Sequence, residues 1–435
     1  EYSRVEKDGR SIPVADSFQL IESRPQGLGA LFVAPVKGFI EAAYIIAFVL
    51  VVGGAFAVIQ KTGAVSVFIH NLALKFGRSK ALRALFIPVV MIIFSLGGAI
   101  FGMCEEVMPF VLIFVPLALS LGYDTITGVA IPFVGAAAGF AGAFFNPFTV
   151  GIAQGIAELP LYSGVGYRLI IWAAGTVIAV IIVMRYASRV MKNPRISLTY
   201  EEDQAKRRDL DLDKSQEKVV VKPAHKHVLI LFTAGMALLV FGILKYQWYI
   251  NEIAGLFLAL GIFSGILGRL RSSEIADSFI AGAKDMISAA LIIGCARAIL
   301  VVATDGKIMD TALHYMSQGI SHFHPIISSQ LMFISQCVIN FFVHSGTAQA
   351  ALTMPIMAPL GDLVGITRQT TVFAFQLAEY INPVLPTSGV TMGVLGLARL
   401  RWEKWARWLL PLLVIWVIFA LLSLIPPVLM NWGPM

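Results

Sequence analysis

Glu105 and Glu106 stand side by side in the otherwise apolar stretch of residues 84–122. A carboxylate near the centre of a bilayer costs about 2.5–3.5 kcal/mol on insertion scales, so a consecutive pair requires a cation, a proton or an aqueous cavity beside it. Glu379, three residues before Asn382, belongs to the same class, and Arg297 is a cation within an apolar run. The carboxylates could act as sodium ligands, proton carriers or receptors for a substrate ammonium group. Arg297 could be their counter-ion or could hold a substrate carboxylate.

The same charges lie beside unusual punctuation. Gly102-Met-Cys-Glu-Glu106 is followed by Pro116-Leu117, Gly122 and Asn146-Pro147, and Ser345-Gly-Thr-Ala-Gln349 by Pro359-Leu360, Gly365 and Asn382-Pro383. Glycine and proline free backbone groups that lipid cannot satisfy, so the repeated order points to a site built from two broken-helix elements. Broken helices leave useful ends inside the membrane. N-termini offer N–H groups and partial positive charge to a carboxylate, and C-terminal carbonyls can ligate sodium. The candidate substrate-binding set is Glu105, Glu106, Asn146, Thr149, Ser345, Gly346, Thr347, Gln349, Glu379, Asn382, Thr387 and Ser388. Gly102, Glu106, Asn146, Ser345 and Asn382 are the candidate sodium ligands.

These residues must be positioned by an all-α polytopic membrane protein. Of 435 residues, 57% are hydrophobic and 14% charged, and the mean hydropathy is +0.80. Apolar runs at residues 40–59, 169–184, 227–244 and 408–426 are each about long enough to cross roughly 30 Å of hydrocarbon. The net charge of +7 resides in loops, where it orients the chain in the membrane and gives no reason to expect nucleic acid. Cys104, Cys295 and Cys337 form neither a disulfide framework nor a zinc spacing. His344 beside Ser345 does not make a hydrolase, because no Gly-x-Ser-x-Gly or His-Glu-x-x-His motif accompanies it.

Lys and Arg cluster at residues 61–83, 185–226, 269–271 and 399–407, which the positive-inside rule makes cytoplasmic. The basic-poor loops 154–167, 247–252 and 304–330 then face outward. Residues 84–122 must leave the cytoplasm and return to it as a re-entrant hairpin, and residues 325–365 must do the same from outside. The halves therefore form an inverted repeat. Spacing agrees: Gly294 answers Gly53 at an offset of 241, Pro359 answers Pro116 at 243 and Asn382 answers Asn146 at 236. A further membrane helix is expected upstream of Glu1.

The expected organisation is an extracytoplasmic segment (1–38), a first repeat (39–190), a solvated cytoplasmic linker (191–226) and a second repeat (227–435). The first repeat holds a hairpin at 84–122 and a broken helix at 125–157. The second holds a hairpin at 325–365, a broken helix at 369–398 and a last span at 405–430. Scaffold spans are expected at 40–59 and 281–302, and amphipathic surface helices at 65–76 and 308–320. Gly135-Ala-Ala-Ala-Gly139 predicts close helix packing.

The stretch from Phe342-Val-His-Ser-Gly-Thr-Ala-Gln through Met357-Ala-Pro-Leu-Gly-Asp-Leu-Val-Gly365 resembles the YfcC family of bacterial inner-membrane transporters. So do Phe94-Ser-Leu-Gly-Gly-Ala-Ile-Phe-Gly-Met-Cys-Glu-Glu106, Phe145-Asn-Pro-Phe148 and Tyr186-Ala-Ser-Arg-Val-Met-Lys-Asn-Pro194. That family sits in the DcuC-type C4-dicarboxylate carrier group of the ion transporter superfamily. The resemblance implies a homodimeric, elevator-type secondary transporter in the inner membrane. Dicarboxylate carriers of the superfamily use Ser-Asn-Thr at both hairpin tips. Here the second tip is Ser345-Gly346-Thr347, and the first has exchanged hydroxyls for Glu105 and Glu106. The expected cargo is a small carboxylate-bearing metabolite, amino acid or C4-dicarboxylate, driven by sodium or protons. The alternatives are an arginine/ornithine-type exchanger and a channel. Acidic residues at a tip suit a cationic or zwitterionic amino acid better than a dianion.

Overall fold

The computed structural model describes residues 2–433 except 8–9, 15–16, 23, 66, 69–70, 72–79, 210–221, 247, 249 and 321. The described chain is predominantly helical, as an apolar sequence requires when each backbone N–H and C=O must be paired within its own segment. A short antiparallel pair, Arg4–Lys7 with Arg10–Pro13, precedes the helices.

The first half runs through α1 (Leu28–Glu41), α2 (Ala43–Lys61), α3 (Lys80–Phe101), α4 (Val107–Ser120) and α5 (Thr125–Ala141). A π-turn (Pro147–Gly151) leads into α6 (Ile152–Ile156), followed by α7 (Val165–Lys192) and α8 (Tyr200–Asp209). The second half comprises α9 (Pro223–Tyr246), α10 (Ile250–Leu267), α11 (Ser272–Asp285), α12 (Ile287–Asp305) and α13 (Ile308–Ile320). Then come α14 (Pro325–Phe342), α15 (Gly346–Leu363), α16 (Arg368–Leu377), a 3-10 stretch (Ala378–Val384), α17 (Gly389–Leu397) and α18 (Trp402–Ser423). Among described residues five helical segments are long and apolar enough to cross a membrane: α2, α7, α10, α14 and Trp402–Leu429.

The helices pack as two bundles. In the first, α1 lies on α12 and α2 lies on α10 and α11. In the second, α5 packs against α3, α4 and α7, while α16 packs against α14 and α15. α17 joins them, touching α2 and α12 on one side and α4 on the other. Glycine permits the closest approaches. A Cβ on Gly139 would strike the Ser95 carbonyl and one on Gly98 the Ala136 carbonyl, so the α3 and α5 backbones touch where the small-residue motif predicts.

Both expected hairpin tips are breaks: residues 102–106 separate α3 from α4, and residues 343–345 separate α14 from α15. The Asn-Pro pairs also interrupt helices, at the π-turn and in the 3-10 stretch. Other elements differ from expectation. Residues 28–38 of the expected extracytoplasmic segment are helical, and Leu31, Phe32 and Val36 stand exposed on α1 as on a lipid-facing helix. The span expected at 281–302 is two helices broken at Met286. The surface helix at 308–320 is α13, whereas most of 65–76 lies outside the described residues.

The linker's first part is not solvated chain. Asp203 of α8 accepts bonds from the Thr125 N–H (3.0 Å) and from the hydroxyls of Thr125 (2.5 Å) and Thr199 (2.7 Å). Asp124 caps α5 through the Thr127 N–H (2.8 Å) and accepts the Ser197 hydroxyl (2.7 Å). Arg207 donates to the carbonyls of Leu119 (2.5 Å) and Tyr123 (2.7 Å), capping the end of α4. Lys206 donates to the Ala398 carbonyl (2.8 Å) at the end of α17. Two basic residues of α8 thus satisfy two helix C-termini, where cations are favoured. Replacing Asp203 with Ala leaves buried donors unpaired and is expected to cost about 3 kcal/mol, read by chemical or thermal unfolding.

Burial of the Lys206 ammonium lowers its pKa from the ordinary 10.5 to about 8. An unfolded lysine keeps its proton up to the higher value, so between these pH values the unfolded state binds more protons and stability rises with pH. Thermal unfolding of wild type at pH 8 and 10 should show this rise, and Lys206→Met should remove it.

Candidate functional site

A cavity of about 430 Å³ lies where the two bundles meet. Gly102, Cys104, Glu105 and Glu106 line it from the first tip, and His344, Ser345, Gly346 and Thr347 from the second. Phe148 and Asn382 come from the two Asn-Pro breaks, Ile152 from α6, and Tyr44, Ile45 and Arg297 from the other bundle. Residues more than 240 positions apart in sequence are thereby neighbours.

Each tip is held by its own backbone chemistry. Gly102 adopts a φ of +74°, which favours glycine, and ends α3. The Met103 N–H returns to the Gly97 carbonyl (3.2 Å), and the Phe145 N–H reaches the Ala99 carbonyl (3.1 Å), so groups freed by one break are satisfied by the next. Glu106 is buried, and its carboxylate accepts the Cys104 N–H at 2.8 Å. At the second tip Ser345 caps α15 by accepting the Ala348 N–H (3.5 Å). The Thr347 hydroxyl donates to the Phe148 carbonyl at 2.9 Å, tying the second tip to the first Asn-Pro break.

Asn146 is fully buried, and its Oδ1 accepts the N–H groups of Phe148 (2.9 Å) and Thr149 (3.3 Å). The oxygen expected to ligate sodium is therefore engaged as a cap, while the Asn146 Nδ2 and the Thr149 hydroxyl have no partner among the described residues. Asn382 donates to Glu379 (3.0 Å) and to the His344 carbonyl (3.4 Å). Glu379, only 1% exposed, lies just behind the cavity, on a smaller void that also touches Cys104 and Asn382. Asn340 sits beside Glu379 without reaching hydrogen-bond geometry.

Besides Asn146, Thr149 and Glu379, three more candidate residues do not line the cavity. Gln349 is buried between α14 and α15, where its amide donates to the Gln336 side chain at 2.8 Å. Thr387 donates to the Phe341 carbonyl (2.6 Å), and Ser388 caps α17 through Thr391. They support the breaks. Sequence reasoning missed Tyr44 and Glu41, whose carboxylate pairs with Arg297 at 3.1 Å. Glu41 carried a usable signal, an acidic residue at the head of an apolar run that could answer the cation in another.

The DcuC family profile, described as C4-dicarboxylate anaerobic carrier, matches residues 19–428. The chain belongs to the DcuC family. This agrees with the resemblance and makes the protein a multi-pass membrane carrier, not an enzyme. A relative in Escherichia coli strain K12, named putative basic amino acid antiporter YfcC, is 41% identical over 82% of this chain and 72% of its own length. An uncharacterised Haemophilus influenzae protein is 30% identical over 90% of this chain and 77% of its own. Among solved structures, the Alcanivorax borkumensis YdaH transporter aligns with a TM-score of 0.42 at 17% identity, over 100% of this chain and 95% of that one. Neisseria gonorrhoeae MtrF, from a class of antimetabolite efflux pumps, aligns with a TM-score of 0.40 at 18% identity, over 97% and 88%.

At Gly346 the second tip packs tightly on the first Asn-Pro break and on Glu379. A methyl there would strike the Thr149 methyl and stand 3.2 Å from Glu379 Oε1. Gly346→Ala should therefore cost about 1–3 kcal/mol in unfolding free energy. Gly155→Ala, whose added methyl meets nothing within 4 Å, should cost nothing measurable.

Proposed function

We propose that this protein is an exchanger of cationic amino acids in the bacterial inner membrane, working by alternating access, with the interbundle cavity as its substrate site. The observation that carries the reading is the composition of that cavity. Glu105 and Glu106 line one side, and the hydroxyls and first-turn N–H groups at Ser345-Gly346-Thr347 line another. Two carboxylates suit a substrate that carries a positive side chain and an ammonium group, while a helix N-terminus suits its carboxylate. A C4-dicarboxylate would bring two negative charges against Glu105 and Glu106. The name of the Escherichia coli relative, a putative basic amino acid antiporter, points the same way.

The proposed movement carries both tips and both Asn-Pro breaks, as one body, past α1, α2, α11 and α12. Reciprocal packing supports a two-fold repeat behind it: α1 on α12 answers α2 on α11, and α6 on α15 answers α17 on α4. α17 would be the sliding face. A crevice of about 330 Å³ separates α2 and α11 from α4 and α8, and across it Arg399 pairs with Asp285 at 2.6 Å. That pair must open when the bodies move.

Calorimetric titration of purified protein with arginine tests the site. Glu106→Gln should abolish binding while leaving thermal unfolding intact, and unchanged affinity would overturn the assignment. Asp285→Asn, Arg399→Gln and the double variant should alter the exchange rate equally, by no more than about fivefold, because an exposed pair is one weak interaction. Additive effects would show that the two charges act separately.

A further inference from the structure

Arg297 differs from the other charged groups of the cavity in the bundle to which it belongs. It lies on α12, and its Nε donates to Glu41 at the end of α1 (3.1 Å), so cation and counter-ion both sit on the bundle that carries neither tip. The side chain is 26% exposed, and its two terminal nitrogens have no hydrogen-bond acceptor among the described residues. Arg297 also lines a small void with His344, the residue immediately before Ser345. It therefore stands near the N-terminus of α15, where a carboxylate would meet a helix end and a guanidinium fork together. Glu41 orients the fork through Nε and leaves the bidentate edge open.

We propose that Arg297 is a one-sided specificity residue, receiving the substrate's α-carboxylate only in the arrangement of bundles seen here. The inference rests on the cationic amino acid reading and on relative movement of the two bundles. Glu105 and Glu106 travel with the tips and keep the cationic end of the substrate throughout. Arg297 stays behind, so the carboxylate loses its guanidinium partner as the site reaches the opposite face. Discrimination between an amino acid and the amine lacking its carboxylate is then strong on one face of the membrane and weak on the other.

The experiment measures half-saturation for arginine and for its decarboxylated amine, agmatine, in right-side-out and inside-out membrane vesicles. Wild type should prefer arginine on one face by about 10- to 100-fold, the range expected for charge-assisted hydrogen bonds to a carboxylate. Arg297→Gln should remove that preference on that face and leave the other within about twofold, while Arg297→Lys should keep part of it. Thermal unfolding of each variant separates loss of recognition from loss of fold. Equal effects of Arg297→Gln on both faces, or none on either, would overturn the one-sided role while leaving the substrate reading in place. Failure of wild-type vesicles to take up arginine would overturn both.

Discussion

A helix broken inside hydrocarbon exposes N–H and C=O groups that no solvent can satisfy, and the rest of this structure follows from how they are paired. Phe145 closes an open carbonyl of α3, Thr347 reaches the carbonyl of Phe148, and Asn382 reaches that of His344. Each pairing draws one break against another. The breaks collect at one place, and the space left between them is the cavity. Deeper bonds such as Gln349 to Gln336 and Thr387 to Phe341 brace the arms behind the tips.

The cavity inherits an uneven charge from its two similar halves. The first tip presents carboxylates and the second presents hydroxyls and a helix N-terminus. A cation and an anion can be held a few ångströms apart without either tip changing conformation. On the proposed reading, this division lets the residues at a single tip set the sign of the charge that the cavity favours. The first bundle adds Arg297, so both bundles line the cavity.

Much of this was legible in the chain, because residues that a bilayer excludes are visible wherever they occur. Gly102, Asn146, Ser345 and Asn382 mark the breaks, and the offset between halves predicted that they would be partners. What the sequence hid depends on distance between elements. Gln349, Thr387 and Ser388 have the right chemistry at about the right depth, yet they face neighbouring helices instead of the cavity. Asn146 has the chemistry of an ion ligand, and in the fold its oxygen also caps the π-turn by accepting two N–H groups. The α8 helix was invisible for another reason: its charges read as solvated until Asp203, Lys206 and Arg207 met the ends of other helices. The bend at Met286 carried no glycine or proline to announce it.

The central claim is that one cavity, assembled from both halves, carries a cationic amino acid by exchange. Counterflow tests it most directly. Proteoliposomes loaded with unlabelled arginine are diluted into labelled arginine, alongside vesicles loaded with unlabelled succinate. The account predicts transient accumulation of label above equilibrium in the arginine-loaded vesicles alone. Accumulation driven equally by succinate, or label that only equilibrates whatever the load, would contradict it.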